Sequence, residues 1–155
     1  MITAVDTNIL LDILISAAPD YEQSRQAIID AELGGAVIVG EAVYAELAAE
    51  FGTDEELEVF LARIRVAFQP SGVGALFQAG NAWRGYTSRR PRNMVCPTCG
   101  NDQPVTCGRC GANLRPRQHV VADFLIGGHA VAEADRLLTR DRGFYATYFP
   151  DLRLM

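Results

Sequence analysis

Ile2-Thr3-Ala4-Val5-Asp6-Thr7-Asn8 is a short apolar run that ends in a carboxylate. The run reads as a buried parallel strand, and the residues after it start a helix over 8–16. In an open α/β sheet, ligands gather at the C-terminal ends of the strands. An acid one step into that turn faces a cleft. Capping of the helix by Asp6, Thr7 or Asn8 is the competing role for the same residues. Further acids placed to reach the same cleft (Glu46, Asp123 and Asp141) favour a metal-holding site.

The chain has 155 residues, 49% hydrophobic and 21% charged, which is a single globular domain with a sizeable core. No apolar run reaches membrane-spanning length, and no charged leader with a cleavage site precedes the first strand. A cytoplasmic protein without membrane contact is the expectation. The net charge of −5 argues against nucleic-acid binding, but its distribution argues the other way. There is no lysine, and residues 84–117 hold seven of the fourteen arginines against one acid, Asp102. That stretch carries +6 and the rest of the chain −11. Local basicity governs phosphate contact more than the global sum does. Arg89, Arg90, Arg92, Arg115 and Arg117 are the candidate nucleic-acid phosphate contacts; a solvated basic face is the plainer alternative.

Helical spacing predicts a second helix over 21–33, closed by Gly34-Gly35. Ala36-Val37-Ile38-Val39 reads as the second strand. The helix after it carries Glu46 about one and a half turns in, leaning back over the strand ends. Thr53-Asp54-Glu55-Glu56 is a capping box for a helix running to about residue 64. A short third strand over 65–68 and a helix over 73–90 follow. The alternation defines a doubly wound α/β pattern, and no glycine-rich nucleotide-binding motif accompanies it.

Residues 91–117 interrupt that pattern. They contain Cys96-Pro97-Thr98-Cys99-Gly100 and Cys107-Gly108-Arg109-Cys110-Gly111, the only four cysteines. Two CxxCG pairs in a cytosolic chain read as zinc knuckles in preference to disulfides. Cys96, Cys99, Cys107 and Cys110 around one Zn²⁺ would form a closed structural site. The segment has too little apolar surface to fold alone, so metal binding would drive its folding.

Residues 118–132 then form a helix that is apolar nearly all round, with Asp123 near its start. A charge there is expensive unless paired or bound to metal. His119 at the helix start and His129 as a packed core imidazole read as structural. Leu137-Leu138-Thr139-Arg140-Asp141 repeats the opening logic, delivering Thr139 and Asp141 beside Asp6. Asp135 falls at the opposite end of the sheet. A short aromatic helix over 143–149 and a final edge strand over 151–155 complete the chain.

The segments "VDTNILLD", "VYAEL", "VADFLIGGHA" and "RLLTRDRGFYATYFP", in that order, resemble the PIN-domain nucleases, and in particular the VapC-type toxins of toxin–antitoxin modules. The resemblance spans the chain. It implies a three-layer sandwich with a central, mainly parallel sheet flanked by helices, within one domain over 1–155. It maps Asp6, Glu46, Asp123 and Asp141 to the acidic cluster, with Asn8 and Thr139 in support. The inserted cysteine segment is not part of the usual small toxin.

Four carboxylates about 5 Å apart repel by roughly 3 kcal/mol per pair at an effective dielectric near 20. One or two hard divalent cations, Mg²⁺ or Mn²⁺, would relieve this and activate water for attack on a phosphodiester. The resemblance adds RNA as substrate, an antitoxin partner and a homodimer. The alternative is a zinc-ribbon RNA-binding or RNA-processing module on a PIN scaffold with no toxin role.

Overall fold

β1 (Ile2–Val5) lies inside a four-stranded parallel sheet of order β3-β2-β1-β8, between β2 (Ala36–Val39) and β8 (Arg136–Leu138), with β3 (Val66–Phe68) at one edge. Thr3, Ala4 and Val5 are all buried, because helices cover both faces of a parallel sheet; this is why β1 reads as a continuous apolar run. The computed structural model describes residues 1–89, 93–96, 98–114 and 121–155. Gln118, His119, Val120, Arg90, Arg92, Arg115 and Arg117 therefore lie outside the described residues.

From β1 the chain passes through α1 (Thr7–Leu14) and α2 (Tyr21–Leu33) to β2, then through α3 (Glu41–Ala48) and α4 (Asp54–Arg63) to β3. It returns through α5 (Val73–Arg89) and α6 (Val121–Glu133) to β8, on the other side of β1. The direction of winding thus reverses between β1 and β8. The carboxyl ends of those two strands flank the sheet's topological switch point, where open α/β folds bind ligands.

The element boundaries follow the sequence closely. α1 stops at Leu14, two residues short of expectation, and the final edge strand contracts to one bridge, Leu154 to Leu137. The Thr53 hydroxyl accepts from Glu56 N at 3.2 Å, as a capping box requires, while the Glu56 carboxylate reaches back to Gly52 N at 3.0 Å. Asp135 accepts from Ile2 N at 2.6 Å, at the sheet end away from Asp6.

α6 packs against α5 through small residues. A Cβ on Gly128 would stand 2.5 Å from the Ala75 carbonyl, and one on Gly127 would stand 2.2 Å from the Phe149 ring. Phe124, fully buried, makes edge-on contacts with Trp83, Phe144 and Tyr148. Burying such a ring stabilises by roughly 1.5–3 kcal/mol. It also fixes α6 against α5 and α7 (Arg142–Tyr148) one residue after Asp123.

His129 sets α6 against α3. Its ring lies 2.9 Å from where a Gly40 Cβ would be, and its Nδ1 is 3.2 Å from Ser71 Oγ. Nε2 is buried and meets no hydrogen-bond partner. A buried lone pair costs less than a buried unpaired N–H, which assigns the proton to Nδ1, donating to Ser71. Burial lowers the imidazole pKa below its ordinary 6.5, although the charges of Glu41 and Glu133 oppose this. Among the described residues no helix is long and apolar enough to cross a membrane.

Because the fold holds His129 neutral, this contribution to stability is complete above the ordinary imidazole value and is lost as pH falls below 6.5. Urea midpoints measured between about pH 6.5 and pH 5 should therefore fall. The slope should be shallower in His129→Leu.

Candidate active site

Asp6 occupies the N-cap position of α1, yet its side chain makes no capping hydrogen bond. Its carboxylate is used elsewhere. Thr139 Oγ1 donates to Asp6 Oδ2 at 2.6 Å, and Asn8 Nδ2 donates to the same oxygen at 2.7 Å. Asn8 Oδ1 accepts from Arg140 N at 3.3 Å, so the turns after β1 and β8 are tied together. The sheet order makes this possible, because Asp6 N itself bonds Leu138 O at 3.0 Å.

The other three acids reach the same sheet end by different routes. The Glu46 carboxylate, exposed on α3, accepts from the Thr7 hydroxyl. Asp141 follows β8, its N–H donating to Thr139 Oγ1 at 3.0 Å. Its carboxylate also caps α7, accepting from Phe144 N at 3.1 Å. Asp123 stands half-buried in the first turn of α6, and its charge acts on both Asp6 and Tyr145.

Asp6 is only 6% exposed. Burial raises its carboxyl pKa above the ordinary 3.8, and the Asp123 charge adds to this. Hydrogen bonds from Thr139, the Thr7 N–H and Tyr145 offset part of the shift. Tyr145 escaped the sequence reading. Its buried hydroxyl bonds Asp6, and burial together with the charges of Asp6, Asp123 and Asp141 raises its pKa far above the phenol range. It stays protonated and serves as a donor to Asp6. Only its place in an aromatic run just after Asp141 pointed to it.

Among the described residues, no three His, Cys, Asp or Glu side chains converge closely enough to hold one ion together. The expected 5 Å cluster is therefore more open than the sequence suggested, since Glu46 turns to Thr7 and Asp141 to its helix cap. The donor chemistry still fits a hard cation: the acids at this sheet end offer only oxygen ligands, and one of them is a buried carboxylate whose ionisation the fold opposes.

The cysteines form two matching turns. β4 (Met94–Val95) pairs with β5 (Asp102–Gln103), and β6 (Val105–Thr106) with β7 (Asn113–Leu114). In the first hairpin Cys96 N bonds Asn101 O at 2.9 Å and Gly100 N bonds Cys96 O at 2.8 Å. In the second, Cys107 N bonds Ala112 O and Gly111 N bonds Cys107 O, both at 2.8 Å. Gly100 and Gly111 have φ of 69° and 70°, a left-handed conformation that glycine permits. The N–H groups of Cys99 and Thr98 lower the Cys96 thiol pKa, and those of Arg109 and Cys110 lower that of Cys107. Thiolate character suits a metal ligand. Cysteine pairs are thus built, but the four expected ligands do not meet at one point. Arg89 is exposed at the end of α5.

The parallel sheet with its acid-lined switch point is a PIN-like α/β fold. In its architecture the chain is similar to VapBC2 from Rickettsia felis, solved bound to a DNA fragment from its promoter (TM-score 0.59, 18% identity, covering 100% of this chain and 98% of that one). It is also similar to VapBC-1 from nontypeable Haemophilus influenzae (0.60, 19%, 100% and 97%). FitAcB from Neisseria gonorrhoeae gives 0.58 and 16%, covering 100% and 96%. Neither a family model nor a curated protein matches the sequence.

Asp6→Asn keeps the shape of the side chain and removes the buried charge. Without divalent cations it should melt about 2–4 °C higher than wild type, near 1 kcal/mol for a domain of this size. Addition of Mg²⁺ or Mn²⁺ should raise the melting temperature of wild type and leave that of the variant unmoved.

Proposed function

We propose that the chain is a metal-dependent endoribonuclease and the toxin of a toxin–antitoxin pair. The observation that carries this reading is the buried Asp6, held in place by Thr139, Asn8 and Tyr145 at the switch point, with the charge of Asp123 acting on it from the first turn of α6. Asp6, Glu46, Asp123 and Asp141 would hold Mg²⁺ or Mn²⁺. Bound there, the cation supplies an activated water and neutralises charge on the departing 3′-oxygen. Thr139 and Asn8 keep the Asp6 carboxylate aimed. Tyr145 adds a further donor to that carboxylate. The arginines at 89, 90, 92, 115 and 117 would hold the RNA backbone, with affinity falling as salt rises.

The motif order and the likeness in fold to VapBC and FitAcB structures support an antitoxin partner; the homodimer rests on the resemblance of the motifs alone. The matched cysteine turns favour a second reading, an RNA-processing enzyme with no antitoxin. Expression of the chain alone separates the two, since a toxin arrests growth. In both readings zinc would draw the two cysteine turns together, with Cys96, Cys99, Cys107 and Cys110 as its ligands in a structural site.

Purified wild type incubated with labelled total RNA should cut only when Mn²⁺ or Mg²⁺ is present, and Asp6→Asn should lose the cuts. Equal behaviour of the two proteins would sink the nuclease reading. Elemental analysis should find about one zinc per chain, and Cys99→Ser with Cys110→Ser should abolish it.

A further inference from the structure

Beside the acids lies a second concavity, of about 310 Å³, that shares a wall with them. Thr139, whose hydroxyl bonds Asp6, lines it, and so does Arg140, the residue between Thr139 and Asp141. Its floor is apolar: Ile9 from α1, Ala27 from α2 and Leu138 from the end of β8. Gln23 on α2 and Arg142 at the start of α7 add polar edges. The volume is at the lower end of small-ligand sites, large enough for a nucleotide's base.

The state of Arg140 says what the cavity takes. Its guanidinium lies 3.0 Å from Asp12, pairs also with Asp20, and donates to Asn8 O at 3.2 Å. Ser24 Oγ donates to Asp12 at 2.6 Å and fixes that carboxylate in turn. Two acids against one guanidinium leave the group net negative, so it does not attract a phosphate. It does hold a planar group rigid, with its side chain 43% exposed. A guanidinium held by ion pairs at the wall of a cavity that is otherwise largely apolar is a stacking partner for a base.

We propose that this cavity is the subsite for the nucleobase adjoining the scissile phosphate, stacked on Arg140 and read at its edge by Gln23. The subsite rests on the nuclease reading of the neighbouring acids, and it decides which nucleotide flanks the cut.

Two readouts test it. In Asp6→Asn protein, each of the four nucleoside 5′-monophosphates is titrated while the backbone amides of α2 are followed by NMR. At least one should shift the amides around Gln23 and Ala27, and Ala27→Phe in the same background should remove that shift. Cut sites in a random single-stranded RNA pool are then mapped. Wild type should prefer one base at a single position beside the cut. Ala27→Phe should flatten that preference about tenfold, within the range that a single base contact commands. Gln23→Ala, an exposed change that spares the fold, should reorder the four bases. Identical preferences in all three proteins overturn the proposal. Cutting with no monophosphate bound at α2 overturns it too and leaves the cavity to a protein side chain. Binding at α2 without any metal-dependent cutting overturns the nuclease reading instead, and with it the link between this cavity and a cut.

Discussion

The hydrogen bond from Thr139 to Asp6 joins the end of the last core strand to the end of the first. A carboxylate buried at a strand terminus is unfavourable unless donors surround it. Thr139, Asn8, the Thr7 N–H and Tyr145 are those donors, and they come from opposite ends of the chain. They meet only because β8 pairs with β1 on the side away from β2. The sheet order and the site are therefore one constraint. A β8 placed elsewhere would leave Asp6 buried without its principal donor.

Around that point the helices are fixed by shape and by polar contacts in different proportions. α6 is held to α5 by glycine against backbone and by the ring contacts of Phe124. These interactions are apolar and indifferent to pH. α6 is held to α3 by a histidine ring seated on Gly40, with one nitrogen unsatisfied. Asp123 rides on α6 and Glu46 on α3, so the distance between these two acids depends on the weaker seam. Asp141 differs again: by capping α7 its carboxylate supports local structure while standing at the site.

Much of this was legible in the sequence, for identifiable reasons. β1 and Asp6 could be read because a parallel strand is apolar throughout and the acid breaks the run. The return of Thr139 and Asp141 to the same place could be read because the second strand end repeats the first. His129 as a core residue followed from its apolar helix, and its burial bears that out. Tyr145 could not be read, since an aromatic residue in Gly143-Phe144-Tyr145 looks the same whether it fills a core or donates to a carboxylate. The Asp12–Arg140 pair was also invisible, because it joins residues distant in the chain on no periodic pattern. Spacing revealed each cysteine turn but said nothing about how the two turns sit against each other.

The cysteine hairpins enter the chain between α5 and α6, whose mutual grip is carried by Gly128, Ala75, Ala79 and the Phe124 rings. None of those contacts involves the hairpins. Lengthening a connection between two already docked helices adds only about 0.6 kcal/mol per doubling of its length. The junction is thus a modular port. A lineage can exchange what is mounted there without rebuilding the α/β framework, and an engineer can do the same. Two turns alike in sequence and hydrogen bonding, eleven residues out of step, are what a small duplication accepted at such a port would leave behind.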